Sequence, residues 1–287
     1  RDGGNIQIDM NDGQLLGNVY GGGRMGLTGM IYDASMGTIG DTLTGPDHGY
    51  VTINISGGTV GSAVDTVTIG NVFGGGKGIV ETTVGPGPAV AMNSEQLGRI
   101  KESNVIISDN ARIHGSVYGG GELAFTMRNA NVTVTGGLIG SELPREDDPS
   151  KTLYKGSVYG GGKGYTGTYA IYMPAPGVIK GKTTVTIEGG KVLENIYGGG
   201  ELASIDGNAN VSISGGQIGE EQVGQVEVSG GNVYGGGFGR AGDDYVDHAN
   251  VANTNMQISD DAYIINSVFC GGDNGHVLNN TIVNMTG

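Results

Sequence analysis

Eight times along the chain, two aliphatic or methionine side chains flank a single residue: Ile8/Met10, Ile53/Ile55, Val105/Ile107, Val132/Val134, Val185/Ile187, Val211/Ile213, Met256/Ile258 and Val283/Met285. The residue between them is polar in seven of the eight, Ile106 being the exception. Strict alternation of this kind predicts a half-buried β-strand, because a helix brings like residues together every three or four positions. Successive strands start 45, 52, 27, 53, 26, 45 and 27 residues apart. The smallest interval matches one coil of a right-handed parallel β-helix, and the longer ones are a coil plus an insertion.

A hexapeptide follows each strand but the last: NVYGGG at Asn18, NVFGGG at Asn71, SVYGGG at Ser116 and Ser157, NIYGGG at Asn195, NVYGGG at Asn232 and SVFCGG at Ser267. Each unit therefore reads strand, tight turn, strand, glycine corner. The predicted fold is all-β, a right-handed parallel β-helix of seven to eight coils, roughly 35 Å tall at ~4.8 Å per coil. Residues 1–287 are expected to form one domain and a segment of a longer repeat protein, since strand motifs begin by residue 5 and stop in mid-coil at Gly287. Coils 2, 4 and 6 carry long insertions before the hexapeptide (60–70, 139–156 and 218–231) and after it, and coil 1 only after it. Coils 3, 5 and 7 are nearly bare, so the repeating unit is a plain coil and an armed one, with the arms gathered on one flank. One short helix is expected from an N-cap at Ser94 through Leu97, ended by Gly98. Residues 98–103 are expected in an insertion.

Stacked coils turn each motif position into a row of like residues. The aromatics Tyr20, Phe73, Tyr118, Tyr159, Tyr197, Tyr234 and Phe269 should stack on one another, as internal packing or as a flat sugar-binding platform. The glycines should supply positive φ and close backbone approach at a corner. After them come Arg24, Lys77, Glu122, Lys163, Glu201, Phe238 and Asp273. From Lys77 to Glu201 the signs alternate, which predicts a ladder of surface ion pairs.

Composition narrows the field. Gly 60 of 287 excludes a helical protein, while 7 prolines and the lack of a G-X-Y period exclude collagen. The net charge of −14 argues against nucleic acid and anionic lipid as partners. No run of about 18 apolar residues predicts membrane insertion of this segment, and the lone Cys270 excludes an internal disulfide. Cys270 replaces a repeat glycine and is expected to be a packed small residue.

Chemistry-bearing clusters are few. Asp243, Asp244 and Asp247, beside His248, form a projecting loop expected to be a solvated acidic loop, with a Ca²⁺ site as the alternative, since it offers about half of the six to eight oxygens that ion takes; no other cofactor is expected. Glu146, Asp147 and Asp148 form a second acidic run, expected to be solvated. Glu122 and Glu201 stand two coils apart, roughly 9.5 Å, at the wide end for an inverting glycosidase pair. Two G-x-G-x-x-G matches, at Gly21 and Gly162, lack a following helix and are by-products of glycine abundance. The sequons at Asn131, Asn210 and Asn284 lie in stacked strands, where a glycan would collide with neighbouring coils. Projecting tyrosines suit sugar stacking, so Tyr165, Tyr169, Tyr172, Tyr154 and Tyr245 are the candidate ligand contacts, the alternative for each being a ring that packs its arm onto the column.

The repeated (N/S)-(V/I)-(Y/F)-G-G-G and V-x-(I/V)-x-G-G resemble the right-handed parallel β-helix proteins of the pectin-lyase-like superfamily. More narrowly, the chain is similar to glycine-rich repeat surface proteins of gut-type Gram-negative bacteria described as adhesins. The resemblance covers nearly the whole chain. It implies a bacterial cell-surface or secreted location and a non-catalytic role in adhesion or recognition of a glycan or host ligand, beside adjoining repeats of the same chain. The alternatives are a rigid spacer in a larger surface protein, or a polysaccharide lyase or hydrolase. Arg99-Ile100-Lys101 matches the R-I-K of polygalacturonases, but it precedes Asp243-Asp244 rather than following, and neither N-T-D nor G-H-G occurs.

Overall fold

The computed structural model describes residues 4–33, 38–43, 48–64, 67–79, 82–83, 91–92, 97–144, 146, 152–165, 176–221, 230–242, 247–259 and 261–286. It is all-β, a parallel β-helix. The first sheet stacks eight strands in chain order: Ile6–Met10, Tyr50–Ile55, Glu102–Ile107, Ala130–Val134, Thr183–Ile187, Ala209–Ile213, Thr254–Ile258 and Thr281–Met285. The second and third sheets have seven two-residue strands each, from Gln14–Leu15 to Tyr263–Ile264 and from Val19–Tyr20 to Val268–Phe269. Within each sheet every neighbouring pair is parallel.

Register follows the alternation in the sequence. Ile8, Ile53, Val105, Val132, Val185, Val211, Met256 and Val283 form one continuous row. Together with the valines and isoleucines of the other two sheets they fill a single apolar core. A fourth ladder of single-residue parallel bridges joins Ile100, Thr126, Ile179, Ile205, Val251 and Val277. Residues 98–103 therefore lie on the column and not in an insertion: Ile100 and Lys101 are fully buried. Leu97 and Gly98 are bends rather than helix, and Ser94–Gln96 fall outside the described residues.

Two features of the hexapeptide fix the coil spacing. Its first residue is Asn or Ser because the side-chain oxygen accepts the backbone N–H of its counterpart in the next coil. Asn18, Asn71, Ser116, Ser157, Asn195 and Asn232 do so in unbroken sequence, at 2.8 to 3.3 Å. Its first glycine is needed for space rather than for left-handed backbone, since none of these corner glycines has positive φ. A Cβ there would stand 2.1 Å from the next coil's carbonyl oxygen at Gly74, 2.2 Å at Gly119 and 2.3 Å at Gly198. Cys270 occupies this position beside the last described strand of the third sheet, Val268–Phe269, and it is exposed rather than packed.

Left-handed glycines do other work. The arms of coils 2 and 4 are antiparallel hairpins, Ser62–Val64 with Val67–Ile69 and Ser141–Pro144 with Thr152–Lys155. Each leaves the column between two glycines in contact. At Gly140 and Gly156 φ is +111° and +106°, and a Cβ on Gly156 would lie 2.2 Å from the Gly140 Cα. Gly61 and Gly70, and Gly219 and Gly231, repeat the clasp. After the hexapeptides of coils 1 and 2 come two more hairpins, Met30–Asp33 with Thr38–Leu43 and Thr82–Thr83 with Ala91–Met92.

Gly119→Ala is expected to cost about 2 kcal/mol or more, because backbone on both sides must move, whereas Cys270→Ala should change stability by less than about 0.5 kcal/mol. Urea unfolding of both variants checks this pair of outcomes.

Candidate functional site

The chemistry-bearing side chains that recur in every coil sit on the outer side of the third sheet. Alternation along V-Y-G turns valine into the core and the aromatic ring outward, where seven rings stack. Their centroids are 4.7 to 5.0 Å apart and their planes within 14°. The row is not an open sugar platform: Phe73, Tyr118, Tyr159, Tyr197 and Tyr234 are all buried, and Phe269 at the last coil is 44 % exposed.

The residues that follow the glycines help to enclose this row. Phe238 packs edge-on against Tyr197, and the Lys77 ammonium lies 5.8 Å from the Tyr20 ring centre. Two of the row's hydroxyls reach an acid two coils on: Tyr20 donates to Glu122 at 2.5 Å and Tyr118 donates to Glu201. The alternating charges pair as expected around Glu122, with Lys77 at 3.9 Å and Lys163 at 3.8 Å. Plain coils 3, 5 and 7 carry the acids Glu122, Glu201 and Asp273, and armed coils 2 and 4 carry the lysines. Phe73, which has no hydroxyl, has Lys163 rather than an acid at the corresponding place two coils on.

Electrostatics follow from this enclosure. Burial raises the Glu201 carboxyl above the usual carboxylate range, against the Tyr118 hydrogen bond and Lys163, which lower it. Burial likewise pushes the Tyr118 and Tyr159 phenols well up, so both remain neutral donors at ordinary pH. Glu122 and Glu201 are each engaged by a tyrosine rather than facing one another across a cleft.

The coil 4 arm is tied down at its root. The Arg112 guanidinium donates to the carbonyls of Ile113 and Leu138, at 3.2 and 3.3 Å, and to that of Gly140. Ser141 Oγ donates to the His114 carbonyl at 2.9 Å and lies 2.8 Å from His114 Nδ1. Burial, then the Arg112 charge, lower the pKa of His114. On the other strand Glu194 Oε2 accepts from Gly156 N–H at 3.0 Å and Ser157 Oγ at 2.9 Å. Beside Arg112 an open depression of about 270 Å³ is lined by Asp109, Asn110, Gly137 and Leu138.

Of the candidate ligand contacts, Tyr154 lies in this arm opposite Glu142 and is buried, at 8 % exposure. Tyr165 is half-buried. Tyr169, Tyr172 and Tyr245 fall outside the described residues, as do Asp243 and Asp244 of the Ca²⁺ loop. Asp247 is exposed, and its carbonyl accepts from Ser204 Oγ at 3.0 Å. Among the described residues no three His, Cys, Asp or Glu side chains are placed to share a metal ion. Likewise, no helix among them is long and apolar enough to cross a membrane.

No family model, no curated protein and no solved structure matches the chain.

Because burial raises the pKa of Glu201 when folded, its ionisation opposes folding, and the stability it allows at low pH is lost as pH rises from about 4.3 through the higher folded value. Glu201→Gln should therefore gain stability relative to wild type between pH 4 and pH 7. A difference in urea midpoints that stays flat over this range contradicts the assignment.

Proposed function

We propose that the protein is a non-catalytic recognition module, an adhesin-like protein exported to the bacterial surface or secreted, that holds a glycan or host ligand through its projecting arms. The observation that supports this reading is the division of labour between column and arms. The recurring tyrosines, glutamates and asparagines of the column are engaged with one another, in the stacked rings, the Tyr20–Glu122 and Tyr118–Glu201 bonds and the Asn/Ser ladder. The arms, by contrast, leave the column through glycine clasps on alternate coils, so their sequences are free to vary without breaking a ladder. Variable loops on a rigid scaffold are the usual place for binding.

Tyr165, Tyr169, Tyr172 and Tyr245 are the ring contacts under this reading, with Tyr154, buried in its hairpin, holding the coil 4 arm in shape; Ca²⁺ at Asp243, Asp244 and Asp247 would brace the loop that carries Tyr245. The column supports a second reading, a rigid spacer, through its three uninterrupted parallel sheets. Catalysis on a polysaccharide draws its support only from Glu122 and Glu201, both of which accept a tyrosine hydroxyl.

Replacing residues 141–155 by a short link between Gly140 and Gly156, as in the plain coils, tests the arms. The shortened protein should keep its far-ultraviolet circular dichroism and lose retention on a polysaccharide array that holds the wild type. Wild-type binding that survives shortening of this arm and of 166–175 contradicts the role of the arms, and shortened polysaccharide chains contradict the non-catalytic reading.

A further inference from the structure

In a chain with a net charge of −14, cations gather at one corner. Where coils 2 to 4 turn into the first sheet, Arg99, Lys101, Arg128, Lys180 and Lys182 all lie within three residues of the fourth ladder at Ile100, Thr126 and Ile179. Gly181 N–H donates to the Arg128 carbonyl at 3.0 Å, and Lys182 N–H to Asn129 Oδ1 at 3.2 Å. These bonds lay Arg128 of coil 3 beside the Lys180-Gly181-Lys182 stretch of coil 4.

Arg128, Lys180 and Lys182 are exposed. Lys180 is steadied by Asp206 at 3.1 Å and by the Phe125 ring at 5.4 Å. Among the described residues Arg128 and Lys182 take part in no ion pair. In coil 2, Lys101 is fully buried with its ammonium 4.6 Å from the Tyr50 ring centre, and Arg99 is 6 % exposed. Among the described residues the carboxylates of this corner are Asp206 and Glu102, the latter accepting from Asn129 Nδ2 at 3.1 Å. At the surface of this corner Arg128, Lys180 and Lys182 thus stand beside two carboxylates among the described residues.

The corner borders the outer face of the first sheet, where Asn104, Asn131, Thr184 and Asn210 form a row of uncharged amides and hydroxyls. Asn131 Nδ2 is spent on Asn104 Oδ1 at 2.9 Å and Asn210 Nδ2 bonds the Thr183 carbonyl at 2.8 Å, so the row offers chiefly the amide oxygens of Asn131 and Asn210 and the Thr184 hydroxyl, without charge of either sign.

We infer that this corner binds an anionic glycan, a chain bearing carboxylate or sulfate groups, with its acidic groups on Arg128, Lys180 and Lys182 and its hydroxyls on the amide row. The inference rests on the glycan-recognition reading above and adds to it a surface on the column and a ligand class. A thin chain with isolated charges fits a three-cation strip. A nucleic-acid duplex does not, because its dense phosphates would extend over the acidic remainder of the protein.

The test uses the intact protein with immobilised hyaluronate (carboxylate), dextran sulfate (sulfate), neutral dextran and duplex DNA. Wild type should bind one or both anionic glycans, releasing them as salt rises, and leave dextran and DNA unbound. The triple variant Arg128→Gln, Lys180→Gln, Lys182→Gln should bind roughly tenfold more weakly or worse. A charge-matched triple, Arg24→Gln, Lys191→Gln, Arg240→Gln, should stay within about threefold of wild type. Equal loss in both triples, or no loss in the first, overturns the corner assignment, and so does equal retention of DNA. Binding of neutral glycans alone overturns the anionic inference and leaves recognition by the arms standing. If no glycan on the array or among these probes is held, the recognition reading itself falls.

Discussion

The close approach on which the rest of the molecule depends is between the first glycine of each corner and the carbonyl of the next coil. With a Cβ 2.1 to 2.4 Å from that oxygen, no side chain can stand there in coils 1 to 6. Once the backbones meet this closely, the preceding aromatic rings fall 4.7 to 5.0 Å apart, which is stacking distance. The Asn or Ser two residues before the ring then reaches the next coil's N–H. Each such bond contributes on the order of 1 kcal/mol, and losing one acceptor would strand an amide in a half-buried turn. The hexapeptide is therefore one device in four parts: ladder acceptor, core valine, stacked ring and contact glycine.

A second regularity has a period of two coils. Where the first sheet begins, Ser103, Thr183 and Thr254 of plain coils 3, 5 and 7 donate to the carbonyls of Gly119, Gly198 and Cys270, at 2.6 to 2.7 Å. The armed coils have Val51, Ala130 and Ala209 in the same row. The acids that receive tyrosine hydroxyls also belong to the plain coils. Plain coils thus carry the extra polar ties, and armed coils carry the clasps through which an arm departs. A chain built this way can vary its arms while its stacking contacts remain fixed.

The period-2 alternation gave the first sheet its register residue for residue, because a slip of one position would have turned Ile53 and Val185 to solvent. The hexapeptides located the third sheet equally well, and the alternating charges anticipated the pairs around Glu122. What the sequence hid was the long-range geometry. Ile100 and Thr126 are isolated apolar or β-branched positions with no local alternation, so the fourth ladder left no pattern and 98–103 read as an insertion. Glycine abundance suggested positive φ at the corners, where contact distance is the actual constraint. Cys270 looked packed because its glycine counterparts are; at the last described strand of the third sheet the same position is open. The choice of Asn or Ser was visible in every hexapeptide and carried the ladder. The Tyr20–Glu122 and Tyr118–Glu201 bonds span two coils, a relation that only the stacked structure brings together.

The proposed recognition through arms and corner presupposes a column that stays shut while its attachments adapt. Hydrogen exchange followed by mass spectrometry measures this directly. The amides of Val72, Val117, Val158, Ile196 and Val233, which bond between coils at 2.9 to 3.0 Å, should exchange only through global unfolding. Those of the hairpin at 141–155 should exchange at least about a hundredfold faster through local opening. Corner amides that exchange as quickly as the hairpin would contradict the ladder-locked column.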